Sequence, residues 1–288
     1  MRKGTLRHSL IWMMPLILML VIYYLVPLLD VFRLSFTNTV IGNTNFEYSI
    51  SSYKAVVSDS NLPMFFYNTL IFVGFSVILQ LGIGLIIGLL LECNYMGAGL
   101  LKVAMISAWV VPGIVTGIMW EILLSTSNWG FINNIIEFLI GNKIPFLFDP
   151  KWAITGAVIA NVWRGTGFSG LMQYSALKGI DPQLFEAAHI DGAGTLQRFR
   201  YITLPQLKPM LLINLVLISI NTMNTYDSIW ALTKGGPGVS TTVLALQTYR
   251  ATFQHLSLGQ GGVYAVLMVI FSLGLTITYM RAMGGKEA

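Results

Sequence analysis

The chain has 288 residues, 55% of them hydrophobic and 10% charged, whereas an ordinary soluble domain is roughly a quarter charged, so a polytopic membrane protein is the class that composition leaves. The formal net charge of +5 comes from Lys and Arg scattered singly, without a basic face interleaved with aromatics, and this argues against a nucleic-acid binder. The single cysteine, Cys93, excludes an internal disulfide, and no Cys/His cluster has zinc-ligand spacing.

Crossing a bilayer takes about 18–20 apolar residues, and runs near or above that length occur at 10–29, 65–91, 101–124, 153–177, 210–232 and 263–280. The expected fold is therefore all-α with six transmembrane helices. Arg2, Lys3 and Arg7 precede the first run as in a signal peptide. Its core nevertheless exceeds the about 7–15 residues of one, and Leu28-Leu29-Asp30-Val31 has no small-residue cleavage site, so it reads as a retained span. Gly84-x-x-x-Gly88 and Gly113-x-x-x-Gly117 permit close helix approach, and Pro112 is expected to bend the third span. Outer loops over 30–64, 125–152 and 233–262 carry aromatics and turn residues that offer surface to an external protein.

With the N-terminus inside, ten Lys and Arg residues face the cytoplasm, among them Arg198, Arg200 and Lys208 between spans four and five, against six outside. That bias predicts an N-in/C-in topology. Arg164 is the one Lys or Arg well inside a predicted span. A cation there needs a cavity, a counter-charge such as Glu121 or Asp227, or a substrate. It lies beside a face formed by Asn161, Gly165, Phe168 and Met172. In span five, Asn221, Asn224, Thr225 and Ser228 recur at i, i+3, i+4 and i+7, which on a continuous helix makes a polar face. Such faces either line a pathway or hydrogen-bond neighbouring helices.

The segment before span five differs from its surroundings. Asp181-Pro182 starts a helix expected over 182–190, and Asp191-Gly192 stops it. Thr195 is expected to cap a second short helix through Arg200, with Leu204-Pro205 ending it. A two-turn helix is too short to stand alone in water, so it must be held by its own chain or by another protein. Leu184, Phe185 and Ala188 offer an apolar patch, and Glu186 and Asp191 offer acceptors. No G-x-x-x-x-G-K-[ST] phosphate loop occurs, so energy must come from elsewhere. A gradient-driven transporter is the competing class, but intramembrane acids are scarce. A membrane enzyme is disfavoured because His8, His189 and His255 lie in tails or loops, leaving no converging catalytic set.

The stretch EAAHIDGAGTLQRFRYITLPQLKP, from Glu186 to Pro209, resembles the EAA loop of binding-protein-dependent ABC importer permeases of the carbohydrate-uptake type, similar to the maltose and glycerol-phosphate permease family. TKGGPG, from Thr233 to Gly238 after span five, fits the same resemblance. It implies a type I importer (MetI-like) permease fold: residues 1–63 as tail, first transmembrane helix and outer loop, and 64–288 as a five-helix core with its coupling loop at about 178–209. It also implies that Glu186, Ala187, Ala188, Asp191, Gly192, Leu204 and Pro205 engage a cytoplasmic ATPase. NVWRGTGF and NTMNT match the family's sugar site, which carries over Asn161, Arg164, Gly165, Phe168, Asn221, Thr222 and Thr225 as substrate-pathway residues. The maltose-type permease has an apolar residue at the position of Arg164, so this residue departs from the pattern. The implied partners are a second homologous permease in a heterodimer, two ABC ATPase subunits, an extracellular or periplasmic solute-binding protein and a carbohydrate. ATP and Mg belong to the ATPase, and this chain is expected to hold no cofactor, no metal and no catalytic residue, in a bacterial cell membrane.

Overall fold

A computed structural model of the protein describes residues 3–42, 47–93 and 95–284, with side-chain surroundings from 12 to 282. Arg2 and Lys286, two of the ten residues counted on the cytoplasmic side, lie outside the described residues. Among the described residues there is no strand, only two isolated bridges, Thr37 with Tyr48 and Val40 with Ser257.

The chain opens with α1 (Lys3–Leu20), a wide π-turn (Val21–Leu25) and α2 (Val26–Ser35). Pro27 accounts for the wide turn. Its ring presses on the preceding turn and it has no amide to donate, and a register in which the Val26 amide reaches the Val21 carbonyl makes room for it. There follow α3 (Ser51–Val57), α4 (Leu62–Glu92), α5 (Ala98–Val110), α6 (Gly113–Leu124), α7 (Phe131–Ile140), α8 (Pro150–Lys178), α9 (Pro182–Ile190) and α10 (Thr195–Arg198). A second π-turn (Phe199–Thr203) leads into α11 (Leu204–Met223), then α12 (Asp227–Thr233), α13 (Leu244–Tyr249), a third π-turn (Arg250–Gln254) and α14 (Leu258–Gly284).

Among the described residues four stretches are long and apolar enough to cross a membrane: Trp12–Ser35, Leu62–Glu92, Thr195–Met223 and Leu258–Ala282. α5 and α6 make a fifth when taken together. They meet at 105°, because Val111 before the proline and Pro112 itself are both extended. α8 has 29 residues, about 43 Å of rise. Lys151, Arg164 and Lys178, with Asn161, Ser169 and Gln173, make it the least apolar of the long helices.

Three sequence expectations are corrected here. Leu204-Pro205 does not end a helix: the Leu204 amide reaches the Phe199 carbonyl, and the widened turn carries the helix through Pro205, so the rod runs without a stop from Thr195 to Met223. Thr195 is the first helical residue rather than the cap; the preceding Gly194 amide donates to Gln197 Oε1 at 2.8 Å. Span five stops at Met223, and the chain turns over 224–226 before α12, so Asn221, Asn224, Thr225 and Ser228 do not share one continuous helix.

The chain divides into two compact units, Met1–Leu62 with Gln247–Val269, and Pro63–Leu246 with Ile270–Ala288. In the first, a polar knot ties the end of α2. The Ser35 hydroxyl donates to the Phe32 carbonyl at 2.7 Å and lies 3.0 Å from the Tyr53 hydroxyl, and the Ser52 hydroxyl donates to the Thr37 carbonyl at 2.7 Å.

In the second unit α8 is central and packs on α5, α6, α11 and α12. α4 meets it through glycines: a Cβ on Gly84 would lie 2.5 Å from Ser169 Oγ and 3.0 Å from the Gly170 nitrogen, and one on Gly88 would lie 3.2 Å from the Tyr174 nitrogen. α6 and α12 meet in the same way, since a Cβ on Gly117 would lie 2.5 Å from the Ser228 carbonyl oxygen. After α12 the chain turns sharply with Lys234, Gly235 and Gly238 all at positive φ. It then sinks: 240–246 is buried throughout, so this part of the third outer loop is core rather than surface. Asn68 on α4 holds it there, donating to the carbonyls of Val239 at 2.9 Å and Thr242 at 3.1 Å.

Candidate functional site

α8, α11 and the bend between α5 and α6 leave a cavity of about 360 Å³ inside the second unit. Close approaches at two glycines of α8 and the turn after α11 bring the lining together. Gly165 lets the buried Gln80 side chain of α4 lie directly against α8, and Gly167 admits the Met105 carbonyl and the Trp109 Cβ of α5, the latter at 3.3 Å from where a Cβ would sit. The 224–226 turn, forced between α11 and α12, adds Asn224, Thr225 and Tyr226 to the wall.

All seven residues singled out from the sequence as a substrate pathway, Asn161, Arg164, Gly165, Phe168, Asn221, Thr222 and Thr225, line this one cavity. Their environments differ. Asn161 and Thr222 are buried, and Asn161 Nδ2 donates to Thr222 Oγ1 at 3.4 Å, so this pair links α8 to α11 as well as facing the space. Thr225 Oγ1 donates back to the Asn221 carbonyl at 3.0 Å, while the Asn221 side chain stays exposed to the cavity. Phe168 stands beside Trp109, with ring centroids 5.4 Å apart and planes at 32°, which gives the cavity an apolar aromatic wall.

Arg164 is half-buried, and among the described residues it makes no hydrogen bond or ion pair, so neither Glu121 nor Asp227 is its counter-charge. Asp227 lines the same cavity, but its carboxylate accepts from the Ser228 amide at 2.9 Å and packs on Gly113, the first residue of α6.

Asn224, from the polar face noted in span five, also lines the cavity, as do Gln80, Trp109, Ile218, Tyr226 and Asp227, which were not named as pathway residues. Gln80 carried a signal, an amide in the middle of an otherwise apolar run. Trp109 and Tyr226 carried none, because their place depends on the bend before Pro112 and on the end of α11.

The short segment at 181–192 has the expected shape. The Asp181 carboxylate accepts from the Gln183 amide at 2.9 Å at the start of α9, Gly192 closes its end with φ +76, and the Ala193 amide bonds the Ala188 carbonyl at 2.9 Å. No described side chain of α9 is buried. Glu186, Ala187 and Asp191 are exposed, Ala188 is half-buried, and Ile190 and, further on, Leu196 and Tyr201 present large apolar surfaces. Leu204 and Pro205 lie beyond the π-turn at the start of α11, and among the described residues no hydrogen bond or ion pair joins them to α9.

Residues 8–284 match the family described as the binding-protein-dependent transport system inner membrane component. The chain belongs to this family. Among its relatives are the trehalose/maltose transport system permease protein MalF of Thermococcus litoralis, 32% identical over 288 residues, covering 97% of this chain and 94% of that protein. Another is the sn-glycerol-3-phosphate transport system permease protein UgpA of Yersinia enterocolitica, 32% identical and covering 90% of this chain and 85% of that one. The fold is similar to that of a bacterial ABC transporter involved in the import of the acidic polysaccharide alginate, with a TM-score of 0.81 at 18% identity over 99% of both chains. It also resembles the inward-facing MetNI methionine ABC transporter, with a TM-score of 0.56 at 19% identity over 77% of this chain and 94% of that one. As an inner membrane transport component, this permease is a multi-pass membrane protein, and its long helices carry exposed apolar surface of the kind a bilayer accommodates.

Proposed function

We propose that this permease is the membrane-spanning subunit of an ATP-driven ABC importer that carries a carbohydrate by alternating access. The observation that carries the reading is the cavity. Amides and hydroxyls from Asn161, Asn221 and Thr225 face an aromatic wall of Phe168 and Trp109, which is the pairing a sugar needs for its hydroxyls and its flat apolar face. Relatives named for trehalose/maltose and for sn-glycerol-3-phosphate support it.

In this reading six helices cross the bilayer with both termini in the cytoplasm. α8 is the helix added to the five stretches that length and composition support, its polar side chains turned to the transport pathway instead of to lipid. The core is 64–288. Glu186, Ala187, Ala188, Asp191 and Gly192, with Leu204 and Pro205 behind them, form the coupling surface. A short helix with no buried side chain is the kind of element that a partner must cover. The partners are two ATPase subunits holding ATP and Mg, a second homologous permease and an external solute-binding protein. Nucleotide-driven closure of the ATPase pair moves the coupling helices, and the bundle exchanges inward-open for outward-open by rigid-body motion.

Reconstitution of the full assembly in proteoliposomes tests this. ATP-dependent carbohydrate uptake is expected, and gradient-driven uptake by the isolated chain would refute it. Gly192 has φ +76, where any side chain costs about 1–2 kcal/mol and where proline, fixed near −65°, cannot fit. Gly192→Pro and Glu186→Ala are expected to lower uptake per ATP hydrolysed while the spans stay folded; normal coupling in both would remove the docking role.

A further inference from the structure

The cavity contains one formal charge that the protein leaves unanswered. Arg164 projects from the middle of α8, one turn from Asn161 and from Phe168, and its guanidinium finds neither a hydrogen bond nor an ion pair among the described residues. A cation at membrane depth is expensive, and it is ordinarily paired or bonded to backbone carbonyls. The nearby acid does not take that part. Asp227 shares the cavity, yet its carboxylate is committed to the Ser228 amide at 2.9 Å and to the start of α6 at Gly113. That end of α6 carries partial positive charge because its first amides lack intrahelical acceptors. Asp227 thus has a local electrostatic complement of its own, and five N–H donors of Arg164 remain to be used.

We propose that this cavity selects a carbohydrate bearing an anionic group, and that Arg164 binds that group. The inference rests on the carbohydrate-importer reading above and adds to it a substrate class and a specificity residue. The geometry divides the work. The Trp109–Phe168 wall takes the sugar ring, the exposed amide of Asn221 takes hydroxyls, and Arg164 takes the charge. The planar fork of a guanidinium matches two oxygens of a carboxylate, sulfonate or phosphate alike, and charge-assisted bonds of this kind are about twice as strong as neutral ones. Ligand binding then gives this half-buried cation the partner it lacks among the described residues, so a charged sugar gains over its neutral isostere by more than one ordinary hydrogen bond.

The test uses the complete transporter and probes differing only in charge. Binding and ATP-dependent uptake are measured for a hexuronic acid disaccharide and its uronamide, for a sugar sulfonate and for a sugar phosphate against the parent neutral sugar. The wild-type assembly is expected to favour at least one anionic probe over its neutral counterpart by about 10- to 100-fold in apparent affinity, and the favoured probe names the anion. Arg164→Gln is expected to erase that ratio and Arg164→Lys to keep part of it. Because the ratio is taken within one preparation, partial loss of folded protein does not imitate the effect, and the uronate/uronamide comparison in the wild type needs no variant at all. ATP-dependent uptake of neutral sugars with no anion preference, or a preference that survives Arg164→Gln, overturns this inference and leaves the importer reading intact. If no carbohydrate is taken up in an ATP-dependent way, the importer reading fails and this inference fails with it.

Discussion

Asn68→Ala is a sharp test of how the loop after α12 is held. The side chain is 3% exposed and donates both amide protons to the loop after α12, at 2.9 Å to Val239 and 3.1 Å to Thr242. One residue on, Thr69 Oγ1 accepts from the Leu244 amide at 2.9 Å. Alanine would delete both bonds to the loop. A hydrogen bond of this kind contributes about 0.5–1.5 kcal/mol net, so local destabilisation of about 1–3 kcal/mol is expected. At about 1.4 kcal/mol per factor of ten, hydrogen exchange at the amides of 240–246 should accelerate by about 5- to 140-fold, measured by mass spectrometry on the detergent-solubilised assembly. Gln206→Ala, at an exposed site with no side-chain bond, serves as control and should leave those amides alone. Exchange in 240–246 that matches the wild type would refute the assignment of Asn68 as the clamp.

Two further outcomes follow from the packing around the cavity and of α7. Gly165→Leu would drive a side chain into the cavity and onto the buried Gln80 amide. Carbohydrate binding to the assembly should fall at least tenfold by equilibrium dialysis, and unchanged binding would remove the cavity as the site. Between α6 and α8, Asn133 on α7 donates to the carbonyls of Leu124 at 2.7 Å and Ile144 at 2.8 Å and accepts from the Ile144 amide at 2.9 Å. Asn133→Ala should cost about 2–4 kcal/mol of local stability and make 125–149 the first site of proteolytic cleavage, whereas a wild-type cleavage pattern would count against that role.

Helix positions were readable because long apolar runs and Asp-Pro and Gly punctuation act locally. α9 begins after Asp181 and ends at Ile190, where capping chemistry places its limits. Pro112 bends its span for an equally local reason, the extended backbone required before a proline. Pro205 defied the rule because a π-turn upstream absorbed its ring, and nothing in the local pattern distinguishes that outcome from a break. The end of α11 at Met223 was hidden for a related reason: Asn224, Thr225 and Tyr226 fit an exposed helical face as well as they fit a turn. The cavity was half legible. Amides and an arginine in greasy runs announce themselves, but Trp109 and Gln80 join them only through close approaches at Gly165 and Gly167, which are tertiary facts. The short connection at Cys93, between α4 and α5, offered no residue pattern that bears on this.

The α4–α8 crossing has a genetic corollary. Where a bulky residue collides with a neighbouring side chain, a second mutation can rescue it by trimming that neighbour. At Gly88 the nearest atoms are the main-chain nitrogen of Tyr174 and the main-chain oxygen of Gly170, at 3.2 and 3.4 Å from a would-be Cβ, and no substitution shortens a backbone. Revertants of a large residue at position 88 should therefore restore glycine or alanine at that codon, because α4 and α8 meet there main chain to main chain.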